Sequence, residues 1–462
     1  MPRILLYISF CAASACSYFS PEYARPDAPV KKAWVRHVPE NVSATETIRP
    51  DWWRNFGDPY LDDLVGKAID QNLDLKILAA RTGVAQATIG QVNAARLPTV
   101  EGAFGSRFIK APGRDLQKSY SYALALNWEV DIWGKIQKSV EAQQAEVQAT
   151  EADWRAGYLE IVSGVAEIYF QIRLLDEQIQ QQKSSVTANR RILEIQQAMV
   201  AEGMAPEKTS VLQQSAEVDR FERDLMELER FRALAENGLA TILGIPAGDF
   251  RVPPGSLRGA VHLVELPLGL PMDLLLRRPD IIAAEFRVLQ VHNLISEARR
   301  GLLPTVSITG KGGISSFKLT DLSKAFTYGL DPSIELPFLD PNVYARIDVT
   351  EAEVNVVKAE YRRTVIKAFE EVENAMASLA SHKSQKAKLE ERLKKLQAVA
   401  GTFRAQLEEG VISQLQVLES ERSLLAAEQL LSRNHQDILI DTIELYKALG
   451  GGWPKQEIKE AS

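Results

Sequence analysis

From Gly134 to Met204 the chain holds no proline, and its glycines (Gly134, Gly157, Gly164, Gly203) stand singly. Through the middle of this stretch, apolar residues fall at Ile161, Val165, Ile168, Ile172, Leu175 and Ile179, in alternating steps of four and three. That is the a/d spacing of a helix packed along a narrow seam. The phase continues to Val186, Leu193 and Val200, with polar residues at some seam positions between them. A second stripe, Leu159, Val162, Ala166 and Tyr169, runs beside the first, so the helix needs a partner on each side. About 70 residues at 1.5 Å each make a rod of about 100 Å, far longer than an ordinary globular helix. The stretch predicts a wall of long helices.

The plan is written twice. Leu97-Pro98-Thr99-Val100 recurs as Leu303-Pro304-Thr305-Val306, Ala145-Glu146-Val147 as Ala352-Glu353-Val354, Glu202-Gly203 as Glu409-Gly410, and Leu243-Gly244 as Leu449-Gly450. The offset stays at about 206 residues, which marks two copies of one structural unit. The first copy covers 60–244: a helix over 60–96, strands at 97–109 and 119–130, and a helical hairpin at 134–244. The second covers 272–450: a helix over 272–300, strands at 303–316 and 326–337, and a hairpin at 341–450. Seams of threes and fours, with one step of seven after Leu228, continue through Val218, Phe221, Leu225, Leu228, Ala235, Leu239 and Ile242, and through Leu389, Leu393, Leu396, Ala400, Phe403 and Leu407. Both hairpins therefore read as antiparallel coiled coils. The connector 245–271 is rich in Pro and Gly and loses all periodicity, 16–59 precedes the first copy, and 451–462 is a tail. The charged run from His382 to Lys395 reads as a solvated helix face.

Tyr120, Tyr122, Leu124, Leu126 and Trp128 alternate with Ser121, Ala123, Ala125 and Asn127. Phe326, Tyr328, Leu330, Ile334 and Leu336 alternate in the same way. Strands of about ten residues cross a bilayer when tilted, and aromatic residues near their ends suit interfacial girdles. The same alternation serves the edge of a soluble sandwich. Two pairs of strands are too few for a sandwich of their own, and the chain carries export signals, which favours the membrane. Four strands cannot close. About ten unpaired backbone groups at two open edges would cost tens of kcal/mol in lipid. Other copies must complete the barrel, and three copies are the fewest that leave a channel.

The N-terminus reads as a secretory signal over 1–15: one basic residue, an apolar run from Ile4 to Ala13, and small residues ending at Cys16. Cleavage before Cys16 with lipid on its sulfur is the favoured reading, and several acyl chains together anchor stably. The alternative is an ordinary signal peptide with a free N-terminal cysteine. Ala13 stands where such signals usually carry Leu. Cys11 leaves with the signal, so no intrachain disulfide forms. Ser17 after the cysteine predicts sorting to the bacterial outer membrane. No apolar run beyond the signal is long enough for a helical span. The net charge of -7 argues against nucleic acid as a partner. The five histidines (His37, His262, His292, His382, His435) lie far apart, so no metal site is expected. No nucleophile–base pair, phosphate loop or carboxylate dyad suggests an enzyme, and no cofactor is expected beyond the lipid on Cys16.

Asp51-Trp52-Trp53-Arg54-Asn55-Phe56-Gly57-Asp58-Pro59-Tyr60-Leu61 strongly resembles the TolC-type outer-membrane efflux proteins, in their lipoprotein, NodT/OprM-like branch. Trp128-Glu129-Val130-Asp131-Ile132-Trp133-Gly134 and Leu276-Arg277-Arg278-Pro279-Asp280-Ile281 are further signatures, and the resemblance covers nearly the whole mature chain. It implies an α+β membrane protein. As a homotrimer it would form a twelve-stranded outer-membrane barrel and a periplasmic α-helical tunnel, with an equatorial belt built from the termini and 245–271. It also implies docking to a periplasmic adaptor and an inner-membrane pump, usually of the resistance-nodulation-division type. The implied function is a passive exit duct for drugs or other small toxic molecules. A duct for type I protein secretion is the nearest rival, and a soluble periplasmic coiled-coil scaffold is the rival of another class.

By the same resemblance the tunnel's periplasmic tip is constricted after the second hairpin turn. There Leu415 would be the apolar constriction, Glu419 an acidic ring and Arg422 a partner in the closing network. Many relatives place Asp where this chain has Glu419. Three like carboxylates around a narrow axis would attract cations and repel anions. The plain alternative is an i,i+3 surface pair of Glu419 with Arg422. Gly203, Glu207 and Gly410 at the two turns are expected to serve adaptor docking.

Overall fold

The computed structural model describes residues 18–29, 49–203, 208–257, 277–317, 326–409 and 411–453. In chain order the elements are α1 (Pro59–Gln71), α2 (Leu73–Ala94), β1 (Thr99–Ile109), β2 (Gln117–Val130), α3 (Lys135–Ala201) and α4 (Lys208–Ile242). There follow α5 (Pro279–Arg300), β3 (Thr305–Ser316), β4 (Phe326–Glu335), α6 (Pro341–Glu408) and α7 (Gln414–Ala448). The long helices have 67 and 68 residues and the return helices 35 each. The two hairpins therefore match almost residue for residue. The spatial grouping cuts across them: one compact unit takes Met1–Pro29, Leu78–Asp153 and Asp280–Val365, and the other takes Val30–Ile77, Trp154–Pro279 and Ile366–Ser462.

The first unit is organised on a four-stranded antiparallel sheet in the order β1-β2-β3-β4. β2 pairs with β3 from Tyr120↔Ser316 to Val130↔Val306, so the two copies are stitched together at the centre of the sheet. The foot of the sheet is pinned by indoles. Trp128 Nε1 donates to Arg96 O at 2.9 Å and Trp133 Nε1 to Pro304 O at 2.7 Å. Asp131 accepts from the backbone N–H groups of Ile136 and Gln137 and so starts α3. Residues 18–25 run antiparallel along α5: Arg299 Nη1 donates to Tyr18 O at 2.9 Å, His292 Nε2 meets Pro21 O at 3.0 Å, and Arg25 pairs with Glu285.

The second unit buries the predicted seams in part, with Ile161, Ile168, Leu193 and Val200 half-buried. Val165, Ile172, Leu175, Ile179 and Val186 are buried, and so is the second stripe of Leu159, Val162, Ala166 and Tyr169. Val186, Phe221 and Leu425 join α3, α4 and α7 in one apolar cluster, and Leu393, Ala427 and Leu431 join α6 to α7. The aromatic signature folds as a turn of 3-10 helix over Trp52–Phe56, with Gly57 left-handed at φ 72°. Trp52 stacks on Tyr446 at 4.8 Å and Phe56 meets Phe170 edge-on at 5.2 Å. Asp58 caps α1 by accepting from Tyr60 N and Leu61 N. In the Arg-Arg-Pro-Asp signature, Arg278 donates to Ala448 O at the end of α7 and pairs with Glu371 at 2.7 Å.

Several expected bounds shift: β1 and β3 begin at Thr99 and Thr305 rather than 97 and 303, and β2 at Gln117 rather than 119. The single helix expected over 60–96 breaks at Asn72. Its backbone is extended, its Oδ1 accepts from Leu75 N at 2.9 Å to start α2, and its Nδ2 donates to Ile242 O at 2.8 Å. The strand expected to 337 stops at Glu335, because Pro337 begins a short 3-10 turn. Cys16, Glu207, Gly410, the signal segment 1–15 and most of the connector and tail lie outside the described residues.

Candidate functional site

Near the hairpin turns, α7 carries the expected gate residues. Its start is a capping box: Ser413 N donates to Gln416 Oε1 at 3.2 Å, and the Ser413 side chain bonds the third helical N–H in return. Adjacent helical residues point about 100° apart, so Glu421 and Arg422 reach different neighbours. Glu421 accepts a two-pronged contact from Arg404 of α6, Nη2 to Oε2 being 2.8 Å. That pair closes the second hairpin on itself. Arg422 turns to the first hairpin, donating from Nε to Glu217 Oε2 at 3.1 Å and pairing through Nη2 with Oε1. Glu217 also accepts Nε and Nη2 of Arg220, each at 3.1 Å. Burial opposes ionising Glu217, yet the hydrogen bonds from Arg422 and Arg220 outweigh it and hold its carboxyl below the usual range. Beside this knot lies a groove of about 360 Å³, floored by Phe221, Leu228 and Leu425 and rimmed by Arg220, Asp224 and Arg422.

The expected trio is thus only partly assembled. Glu419 is 72% exposed and its Oε2 lies 4.0 Å from Arg422 Nη1, the outer limit of an ion pair. Leu415 is 71% exposed. Gly203 sits at the first turn with φ 72°. Sequence reasoning missed Glu217, Arg220, Arg404 and Glu421. Glu217 and Arg220 have helical i,i+3 spacing and could have been found that way. Arg422 and Glu217 are 205 positions apart, and no local pattern links them.

The sheet is the second functional feature. Residues directly opposite one another share a face. Rows such as Val100–Leu126–Gly310–Leu330 and Phe104–Tyr122–Ile314–Phe326 make one face apolar and aromatic. Rows such as Ala103–Ala123–Gly313–Thr327 and Glu101–Ala125–Lys311–Gly329 make the other small and polar. Among the described residues nothing pairs with either edge, β1 or β4. Among the described residues, no helix is long and apolar enough to cross a membrane, and no group of side chains is arranged to hold a metal ion.

The sequence pattern of the family described as outer membrane efflux protein matches residues 64–245 and 270–451. The chain belongs to that family. It is 29% identical to the probable outer membrane lipoprotein SilC of Salmonella typhimurium, over 98% of this chain and 99% of SilC. It is also 29% identical to the cation efflux system protein CusC of Escherichia coli K12, over 96% and 99%. The solved structure of the outer-membrane channel OprN superposes with a TM-score of 0.81 at 26% identity, over 94% of this chain and 99% of that one. The protein is an efflux protein of the outer membrane.

Proposed function

We propose that three copies form the exit duct of a tripartite efflux pump. The observation that carries this reading is the open four-stranded sheet with one apolar face and one small, polar face. The apolar face suits lipid, the small and polar face suits a wide aqueous lumen, and sister sheets at β1 and β4 remove the edges that lipid cannot solvate. Twelve strands then line the membrane passage, and the long hairpins line a periplasmic tunnel. Acylation of Cys16 adds the anchor. A periplasmic adaptor docks on the hairpin turns around Gly203, Glu207 and Gly410. A proton-driven inner-membrane pump supplies the energy, so the duct needs no cofactor and performs no catalysis. The cargo is drugs or other small toxic molecules. Cations are included, because CusC, a relative, is a cation efflux protein.

The tip is the gate. Arg422 ties the second hairpin to Glu217 of the first. Leu415 narrows the axis, and Glu419 adds an acidic ring. Opening separates the hairpins and breaks the Arg422–Glu217 contact. Conductance of the purified trimer in a planar bilayer tests this: Glu419→Ala or Arg422→Ala should raise it, and unchanged conductance in both removes the gate. Cellular accumulation of a fluorescent drug and of a toxic metal cation, with and without the chain, tests the duct itself.

A further inference from the structure

The β1–β2 turn lies at the end of the sheet opposite the helices that enter and leave its strands. β1 and β3 are entered from α2 and α5, and β2 and β4 lead into α3 and α6, all at the opposite end. Between residues 107 and 118 this turn and its flanks carry Arg107, Lys110, Arg114 and Lys118 against a single acid, Asp115, in a chain whose net charge is -7. All four cations are exposed. None makes an ion pair among the described residues, whereas Arg173, Arg220, Arg232, Arg404 and Arg422 are all paired. Register separates the four. Lys118 opposes Phe108, so it emerges on the apolar face, where Phe108 and Tyr120 pack edge-to-face at 6.2 Å. Arg107 opposes Ser119 on the polar face. Lys110 and Arg114 sit in the turn above, next to exposed Ile109 and Leu116.

A cation beside an aromatic pair on a lipid-facing strand lies at headgroup height. The outer leaflet of a bacterial outer membrane is made of glycolipids whose headgroups carry phosphates. We propose that Lys110, Arg114 and Lys118 form a phosphate-binding collar for these glycolipids, repeated in each subunit. The proposal rests on the barrel reading, which sets the turn outside the cell. Lys118 approaches the headgroup from the side, while Lys110 and Arg114 approach from above. Arg107, on the other face, takes no part.

The test titrates the full-length detergent-purified protein with bis-phosphorylated lipid A, and with lipid A stripped of phosphate, under chelation of divalent cations. Native mass spectrometry reads bound lipid and subunit number in the same spectrum. Phosphorylated lipid should bind the trimer at least tenfold more tightly than the stripped form, and the preference should shrink as salt rises. K118Q should weaken binding about fivefold, the effect of one cation at an anionic lipid surface. K110E/R114E/K118E should abolish the preference while the trimer persists, and K311Q on the polar face should change nothing. Equal binding of both lipids, or an unchanged preference in the triple variant, overturns the collar and leaves the barrel standing. A parent protein with no trimer in the spectrum sinks the barrel reading, and the collar with it.

Discussion

Replacing Glu217 by glutamine removes the charge on which the two hairpins meet while keeping the side chain's size. Arg422 then loses its ionic partner across the hairpins, while Arg220 keeps Asp224 one turn along α4. A hydrogen bond to a charged group contributes about 1.5–3 kcal/mol when shielded. Arg422 is 42% exposed and Glu217 15%, so solvent screening brings the coupling to about 1 kcal/mol per subunit. If three subunits release together, the closed tip loses about 3 kcal/mol, a shift of about a hundredfold in its balance with the open form. Single-channel recording of the trimer measures this as open probability. E217Q and R422A should each raise it by a similar factor, and the double variant should add little, because both remove one contact. R404A should stay close to the parent, since Arg404 and Glu421 belong to the same hairpin. Fully additive effects, or an R404A opening as large as that of E217Q, would refute the idea that this ion pair holds the hairpins together.

Acid should act on the same contact. The Glu217 carboxyl titrates below the usual glutamate value of 4.5. Its stabilising contribution is therefore present above that value and disappears only as pH falls through the lower folded one. Conductance attributable to this contact, read as the difference from E217Q, should stay flat from neutral pH down to about 4.5 and change only below it. A change near neutrality would contradict the assignment. Asn72→Ala should lower trimer stability by about 1–2 kcal/mol through loss of the α2 cap and of the bond to Ile242 O, read as a lower melting temperature. Arg232→Met should cost about 1.5–3 kcal/mol, because Asp176 and Glu236 lose the cation they share while Asp176 keeps Arg173 and Glu236 keeps the Val252 N–H. A melting temperature equal to the parent's would refute that.

Periodicity made the long helices legible. A seam of threes and fours has one packing solution, and the buried residues Val165, Ile172 and Ile179 follow it. The strands were legible because alternation can be read two residues at a time, whereas the meeting of the two copies at β2 and β3 is written in no local pattern. What escaped depends on partners far apart in the chain. Asn72 looks like any polar helical residue until Ile242 O lies 2.8 Å away. Arg173, Asp176, Arg232 and Glu236 carry no motif, yet they form a buried lattice that grips the backbone at Val252, Pro253 and Gly255. Resemblance points to Glu419 and Arg422 but not to Glu217, which Arg422 reaches because α7 presents that side to α4.

The most direct measurement is the mass of the intact protein released from detergent. Three copies, held together until strongly heated, are predicted, because only sister sheets can cover the edges of β1 and β4. A single polypeptide, stably inserted and resistant to carbonate washing, would contradict it.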